Sequence, residues 1–447
     1  MPLTALSLGD PSRLRALLEH FSMIDDPREP CKVAHPLPEV LLLVVCGTIS
    51  DCDDYDHISA WGETHLPFLR EMLPYHHGVP GGRWLTLLMN RINPALFSAC
   101  FTAWVRETWP DRPDFVAIDG KTSRRSHDRK TDKAAIHVVS AFATTARLVL
   151  GQEVVADKAS EHTAIPALIE RLAVGDGLKG ATVSIDAIAC NATIAGAITA
   201  AKANYLLAVK SNQPTLRAEI EEYFASAPPG LLDTVTDWDK GHGRIEERTV
   251  TIGRETDWLD GERRFPGELR LPGAATIIKV RSRTELKDRC RTETRYFISS
   301  ATLSAQVAAD AVRGHWAIEN SVHWVLDVVF AEDQARLRTG HRAKNMAIIR
   351  HFALNLVRAV SDKKTIKLRR KLAGWDQAYL AAILGLTSRQ PGFGALGQGV
   401  PWRVLEQQSR GAARGVQQLE SAGRPLRQYR FPRDQDTFPI TLYNYTP

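Results

Sequence analysis

Apolar residues follow several different spacings along this chain of 447 residues. Up to about residue 108 they recur at helical spacing, in segments at 37–46, 57–73 and 94–107. The turn-rich segment 75–83 separates the second of these from the third. The pattern predicts an all-helical N-terminal domain over residues 1–110. Its role, as a bundle packed on the main domain or as a module that binds DNA ends, is left equally open.

The pattern changes at residue 114, where short apolar runs typical of strands begin. Three of them lie close together, and helices then alternate with further strands up to about residue 231. Three neighbouring antiparallel strands followed by alternating helices and strands predict an α/β fold with a mixed sheet. In such sheets functional groups gather where strands end. The predicted strands are 114–119, 136–143, 147–155, 181–186 and 205–209.

Residue composition and apolar spacing divide the remaining chain into three parts. Residues 232–301 contain further strand-like runs joined by segments rich in Gly and Arg, which predicts a β-rich insertion. Helical spacing returns in 302–385, predicted to complete the domain that begins with residues 111–231. Residues 386–447 are rich in Gly, Gln and Arg and lack Lys, and we expect a poorly ordered tail there.

Composition narrows the class of protein without identifying it. A hydrophobic content of 44% and a charged content of 24% are ordinary for a globular protein, and the net charge of +6 mildly favours an anionic partner. The six cysteines show no CxxC spacing, which indicates free thiols in a reducing compartment. No signal peptide and no apolar run long enough for a bilayer is visible, so we expect a cytoplasmic protein without a membrane partner.

Three acidic residues occupy positions that favour chemistry. Asp119 and Asp186 each end a predicted strand, and Glu319 lies in an apolar helical stretch. Two strand-end aspartates and a helical glutamate are able to converge on hard cations such as Mg²⁺. A pair of such cations is the usual apparatus for cleaving phosphodiesters, and Asp119 is the candidate bridge between them. For either aspartate alone, capping a turn after the strand is the simpler interpretation.

Basic residues follow the first of these acids. The segment 121–130 carries Lys121, Arg124 and Arg125, and a cationic loop beside carboxylates suits a polyanionic substrate. Without the carboxylates, a solvated hairpin tip would be the preferred interpretation. The lysine-rich segment 363–371 is a second candidate phosphate contact or a solvated helix face.

His315, Glu319 and His323 share one helical face, at i, i+4 and i+8. This spacing could hold a transition metal, which would make the protein a zinc hydrolase. The HExxH pattern is absent and no motif for a third ligand follows, so zinc is disfavoured. Contacts from these histidines to DNA or to the scissile phosphate are the other interpretation.

Six motifs in order along the chain carry a resemblance to a known family. From about residue 21 to about 384 the chain resembles the DDE transposases of bacterial insertion sequences, and in particular the ISAs group, or H-repeat-associated proteins. The motifs are AIDGKTSRRSHDR, VSIDAIACN, YLLAVKSNQPTL, KGHGRIEERT, TRYFISS and VRGHWAIENSVHWVLDVVFAEDQARLR.

The resemblance implies an RNase H-like catalytic domain with the β-rich insertion before the helix of the glutamate. It implies that Asp119, Asp186 and Glu319 are the catalytic acids and hold two Mg²⁺ ions, with Mn²⁺ as a substitute. The implied activity is cleavage at the ends of the element, then attack of the freed 3′-hydroxyl on target DNA. The implied partners are transposon ends and target DNA, bound by a homodimer in the bacterial nucleoid. Phosphate-contact candidates are Lys121, Lys210, Arg313 and His315.

The chain departs from the wider family at several positions. Val312, His315 and Leu326 stand where many relatives carry Tyr, Arg and Lys, and Arg313 is a candidate replacement for the arginine. The segment GVPGGRWL at 78–85 lacks the Ser, His and Asp expected there. An alternative hypothesis is therefore a transposase-derived protein that binds DNA without cleaving it. A metal-dependent nuclease without strand transfer is a third.

Overall fold

A computed structural model describes most of the chain up to residue 386, and all of these residues belong to one unit. The predicted tail at 386–447 lies outside the described residues, apart from its first residue. None of the helices in the described part is both long enough and apolar enough to cross a bilayer. The described ranges are 13–127, 134–155, 160–187, 190–241, 244–259, 268–285 and 289–386.

The described N-terminal region is helical, as the apolar spacing predicts. Local signals set the helix starts: the Asp54 carboxylate accepts a hydrogen bond from the His57 N–H, and Asn93 caps the helix that opens with Pro94. The helices are α1 (Arg13–Ser22), α2 (Leu37–Ile49), α3 (Tyr55–Thr64), α4 (Leu66–Met72), α5 (Gly82–Met89) and α6 (Pro94–Thr108).

The departure in segment 78–85 has a packing reason. Gly82 begins α5, and a Cβ added there would lie 2.8 Å from the Asp56 Cα, so this glycine allows α5 to approach α3 closely. A histidine at this position would require the two helices to separate.

Nine strands of the described residues form one mixed sheet in the order β3-β2-β1-β4-β5-β9-β8-β7-β6. β1 pairs antiparallel with β2 and parallel with β4, and β4 pairs parallel with β5. This confirms the RNase H-like mixed sheet. The strands are β1 (Phe115–Thr122), β2 (His137–Ala143), β3 (Leu148–Val155), β4 (Thr182–Ile185), β5 (Asn204–Val209), β6 (Asp233–Gly241), β7 (Arg244–Gly253), β8 (Thr276–Glu285) and β9 (Cys290–Ser299).

The β-rich segment extends this sheet instead of forming a separate one. β6 to β9 are consecutive antiparallel neighbours, and β9 pairs with the edge of β5, where Val209 faces Tyr296. The second half of the sheet is therefore continuous with the strands that carry the candidate acids.

Helices cover both faces of the sheet. Val116 and Ile118 on β1 pack into the core that includes α7 (Glu161–Ala173), α8 (Ala192–Ala200) and α9 (Pro214–Ser226). Ala117, between them, packs into the opposite core with residues of the N-terminal and C-terminal helices. This alternation follows from the two-residue period of a strand. The C-terminal helices are α10 (Ala305–His315), α11 (Trp324–Val328), α12 (Arg342–Arg358), α13 (Ile366–Trp375) and α14 (Gln377–Leu384).

Helices from the two ends of the chain share that second core, and Arg370 joins them. Its fully buried guanidinium donates to the Thr48 carbonyl at 3.0 and 3.2 Å and lies 4.1 Å from the centre of the Phe330 ring. It also pairs with Asp51 and Asp53. Part of the basic segment 363–371 is therefore structural. The division of the chain at 110, 231, 301 and 385 stays a prediction.

Candidate active site

The strand register places Asp119 beside Asp186. Ile118 on β1 is the register partner of Ile185 on β4, and each aspartate is the residue that follows in the chain. β1 continues past Asp119 along β2, where Asp119 faces Ser140, so Asp119 does not end its strand as the sequence predicts. The parallel pairing with β4 does end there. Both carboxylates therefore leave adjacent strands at the same level.

Glu319 comes from the helical layer over the same face. It begins a π-helical turn, Glu319–His323, between α10 and α11. Ile318 and Val322 are buried in the core that also contains Ala117, whereas half of the Glu319 side chain is exposed. Because Asp119 lies two residues from Ala117, the strand period directs it to the face on which Glu319 lies. A π-helical turn inside a helix is frequently found at a functional site.

The three acids line one cleft of about 450 Å³. Their neighbours in its wall are Lys210, His315 and Trp316, together with residues of the inserted strand β9. Two predicted phosphate contacts, Lys210 and His315, are thus brought to the acids.

The Asp119 carboxylate is the least compensated charge of the cleft. Burial raises its pKa to about 6, with Glu319 and Asp186 adding to the rise and His323 opposing it. Its Oδ1 accepts the Gly120 N–H at 2.8 Å. No lysine or arginine among the described residues forms an ion pair with it. A buried carboxylate normally requires a cation, and carboxylate oxygens are ligands that Mg²⁺ and Mn²⁺ accept, so this donor set fits a divalent ion.

Asp186 has a different electrostatic environment. Burial alone would raise its pKa, but the hydrogen bond and charge of Lys210 outweigh burial and lower it. The Lys210 ammonium lies 2.8 Å from one Asp186 oxygen and 3.0 Å from the other. Asp186 is therefore an ionised carboxylate facing the same cleft as Asp119.

Glu319 contacts the second histidine of its helix. His323 Nδ1 lies 3.1 Å from Glu319 Oε2 and 3.7 Å from Asp119 Oδ2, and the hydrogen bond from His323 lowers the Glu319 pKa. His315 lies farther along the cleft, with its Nδ1 3.1 Å from the Ser184 hydroxyl. Burial lowers the pKa of His315, against the charges of Asp186 and Glu319. The predicted face of His315, Glu319 and His323 is therefore not one site: Glu319 and His323 lie beside Asp119, whereas His315 lies near Asp186.

The residues that follow Asp119 are held by the fold. A Cβ on Gly120 would lie 2.2 Å from His137 Nε2, so glycine leaves room for the buried His137–Glu161 pair. The Lys121 ammonium lies 2.7 Å from Asp327 and 2.8 Å from Glu332 and does not face the cleft. Its phosphate contact stays a prediction, and its surroundings favour a structural role.

The other predicted basic contacts lie outside the cleft wall. Arg124 is exposed and its Nε lies 3.5 Å from Asp333, and Arg125 is exposed on the same turn. Arg313 is exposed and lies 4.0 Å from Asp237 of β6. Their roles in binding DNA stay predictions.

The cleft also contains residues that the sequence does not single out. Arg217 of α9, Glu293 and Arg295 of β9, and the half-exposed Trp316 line it. Arg295 pairs with Glu293 at 2.8 Å and its guanidinium lies 5.1 Å from the Trp316 ring centre. The pairing of β9 with β5 brings Glu293 and Arg295 to the acids, and although Arg295 lies in the TRYFISS motif, the sequence does not show that this motif faces the cleft.

Two family models match the chain over most of its described length. The model described as DDE_Tnp_1-associated matches residues 18–105, and the one described as Transposase DDE domain matches residues 110–356. The second range contains all three candidate acids.

Similar proteins carry related names. The chain is 38% identical over 379 residues to the H repeat-associated putative transposase YhhI of Escherichia coli K12, covering 83% of this chain and 98% of that protein. It is 35% identical over 383 residues to the putative transposase YncI of Escherichia coli O157:H7, covering 84% and 96%. A solved piggyBac transposase synaptic complex with hairpin DNA overlaps 85% of this chain and 82% of its own, with 10% identity and a TM-score of 0.39.

Proposed function

The chain belongs to the DDE transposase family, and from this premise we propose that it cleaves DNA at the ends of an insertion sequence and joins the freed 3′-hydroxyl to target DNA. One observation carries the proposal: Asp119, Asp186 and Glu319 line a single cleft although they lie far apart in sequence. Strand register and helix placement, not a local motif, produce this convergence.

Asp119, Asp186 and Glu319 would hold two divalent cations, Mg²⁺ or Mn²⁺, with Asp119 shared between them. Such ions, when bound, make the attacking oxygen nucleophilic and neutralise charge on the leaving oxygen. The Asp119 carboxylate supports this assignment, because it is largely buried and no lysine or arginine among the described residues pairs with it, His323 at 3.7 Å being its basic neighbour.

The protein's own cationic groups would orient the phosphate. Lys210 and Arg295 lie in the wall beside the acids, and a phosphate oxygen entering the cleft would meet their N–H groups. Each is paired with a carboxylate, Asp186 or Glu293, in the free protein. A phosphate would exchange these pairs for new ones. We propose Arg124, Arg125 and Arg313 as contacts to DNA outside the cleft, where exposed cations favour a polyanion.

The helical region up to residue 110 is proposed to bind the DNA ends, and two copies of the chain are proposed to bridge two ends. Mixing the full chain with end DNA and measuring the mass of the complex by light scattering tests this. Two chains with two duplexes support the bridge, and one chain with one duplex contradicts it.

The direct test of the activity uses a labelled duplex that carries the element's terminal repeat. We expect nicking at the repeat boundary with Mg²⁺ or Mn²⁺ and none with EDTA. A pre-nicked end with a free 3′-hydroxyl should join to plasmid DNA, and the same end with a 3′-dideoxynucleotide should not. Binding without nicking would favour the alternative, a DNA-binding protein without cleavage activity. Nicking without joining would favour a nuclease.

A further inference from the structure

The buried His323 shares one small space with two of the three acids. Its Nδ1 lies 3.1 Å from Glu319 Oε2 and 3.7 Å from Asp119 Oδ2. One donor atom from each of the three residues lies within 4.8 Å of the other two. Ligands about 2.1 Å from a metal are separated by about 3 Å when adjacent and about 4.2 Å when opposite. The two distances from His323 Nδ1, 3.1 and 3.7 Å, fall in this range, so the imidazole and each carboxylate are spaced as donors around one ion.

The ring is held in place. Only 7% of the His323 side chain is exposed, and the π-helical turn fixes its backbone beside Glu319. Its other nitrogen, Nε2, is buried and has no hydrogen-bond partner within the described residues. Within the described residues, the polar neighbours of this ring are therefore the carboxylates of Asp119 and Glu319.

The two sides of Asp119 offer different ligands. Toward Asp186 the donors are carboxylate oxygens, the ligands of Mg²⁺ and Ca²⁺. Toward Glu319 the set gains an imidazole, which suits Mn²⁺ and other transition metals better than Mg²⁺. His315 is not a member of this set, which consists of Asp119, Glu319 and His323; its Nδ1 lies 3.1 Å from the Ser184 hydroxyl.

We infer that His323 is a third protein ligand, through Nδ1, of the cation held by Asp119 and Glu319, so that this cation position has a mixed nitrogen and oxygen shell. The inference rests on the proposed function and deepens it. Ligation requires that the ring proton reside on Nε2, leaving the Nδ1 lone pair toward the cation.

Pulsed electron paramagnetic resonance of Mn²⁺ bound to the full chain tests the inference. Directly coordinated imidazole nitrogen modulates the electron spin echo of Mn²⁺. We expect ¹⁴N modulation in the wild type and its change to the ¹⁵N pattern when histidine is labelled with ¹⁵N. That labelling experiment needs no substitution and holds even if a variant fails to fold.

Two variants locate the nitrogen. In His323→Gln the modulation should disappear, and the Mn²⁺ affinity should fall at least about tenfold, more than the Mg²⁺ affinity. In the matched control His315→Gln, which removes the other histidine near the cleft, the modulation should remain. Circular dichroism and thermal unfolding check that both variants fold.

Three results would overturn the inference: bound Mn²⁺ without nitrogen modulation, modulation that survives His323→Gln, or no Mn²⁺ binding at all. The first would mean that His323 only donates a hydrogen bond to the carboxylates. Measuring Mg²⁺-dependent nicking on the same preparations separates the two proposals. Nicking without nitrogen modulation overturns the inference and leaves the proposed function intact. Nitrogen modulation without nicking overturns the proposed function and leaves His323 as a ligand of the cation.

Discussion

The Lys121 ammonium lies 2.8 Å from the Glu332 carboxylate, and these side chains are only 9% and 3% exposed. Lys121 stands two residues after Asp119 on β1, and Glu332 follows the helical segment that carries Glu319. Arg350 of α12 pairs with the same glutamate at 3.4 Å. The pair therefore ties the strand of one candidate acid to the helical segment of another.

Lys121→Met should lower the free energy of unfolding by about 3 kcal/mol, because it removes the cation paired with Asp327 and leaves the buried Glu332 with Arg350, at 3.4 Å, as its remaining cation. The matched control is Arg124→Met. The Arg124 side chain is 70% exposed and its Nε lies 3.5 Å from Asp333, so this substitution should cost at most about 1 kcal/mol. Denaturant titrations of both variants measure these losses. Equal losses would contradict the structural role of Lys121.

Arg125→Ala should weaken DNA binding and reduce the salt dependence of the affinity. Each lost phosphate contact lowers the slope of log affinity against log salt by about 1. Arg125 is exposed on the turn after β1, whereas Lys121 is enclosed by carboxylates. Fluorescence anisotropy over a salt series gives the slope. An unchanged slope in Arg125→Ala would remove this turn from the DNA contacts.

Arg370→Met should destabilise the protein by about 3 to 5 kcal/mol. The buried guanidinium is the partner of the Thr48 carbonyl and of Asp51 and Asp53, and methionine satisfies none of them. Lys367→Met on the same helix α13 replaces an exposed cation and should change stability by less than about 0.5 kcal/mol. Thermal and chemical unfolding of both variants compare the two. A small effect of Arg370→Met would mean that the two ends of the chain are held together by other contacts.

Acid should destabilise the fold through His351. Burial lowers the pKa of this histidine to about 3, against about 6.5 in an unfolded chain. The unfolded state therefore binds a proton below about pH 6.5 that the folded state excludes until about pH 3. Stability falls across this window by up to about 1.4 kcal/mol per pH unit.

His351→Leu should remove this acid sensitivity, because leucine does not titrate. As the pH falls from 6 to 4, the unfolding free energy of the variant should rise relative to that of the wild type. Denaturant titrations at several pH values measure it. A difference that stays constant with pH would show that His351 does not titrate as stated.

The sequence predicts those features that depend on local pattern. The strands near Asp119 and Asp186, the helices of the N-terminal region and the sheet class follow from apolar periodicity, and the resemblance supplies the insertion's place. The apolar stretch around Glu319 does not show which way its side chain faces: Ile318 and Val322 face the core, while Glu319 itself lines the cleft. Asp119 is the more buried carboxylate.

Features that depend on distant pairing could not be predicted. In the sequence, Lys121 is a cation two residues from Asp119, but the carboxylates with which it pairs lie more than 200 residues later. Arg295 reaches the cleft only because the inserted strands continue the sheet from β5. Neither relationship leaves a local pattern, because the register between distant strands is set by packing of the whole fold.

Glu319→Gln and Glu293→Gln give the most direct comparison. Both glutamates line the cleft, but Glu293 is paired with Arg295, while Glu319 lies with Asp119 and His323. The measurement is the rate of Mg²⁺-dependent nicking at the repeat boundary by the two variants and the wild type. We expect Glu319→Gln to lower the nicking rate at least about 100-fold, which corresponds to more than about 2.7 kcal/mol of transition-state stabilisation. The nicking rate of Glu293→Gln should stay much closer to that of the wild type. Nicking by Glu319→Gln at the wild-type rate would contradict the assignment of the catalytic acids.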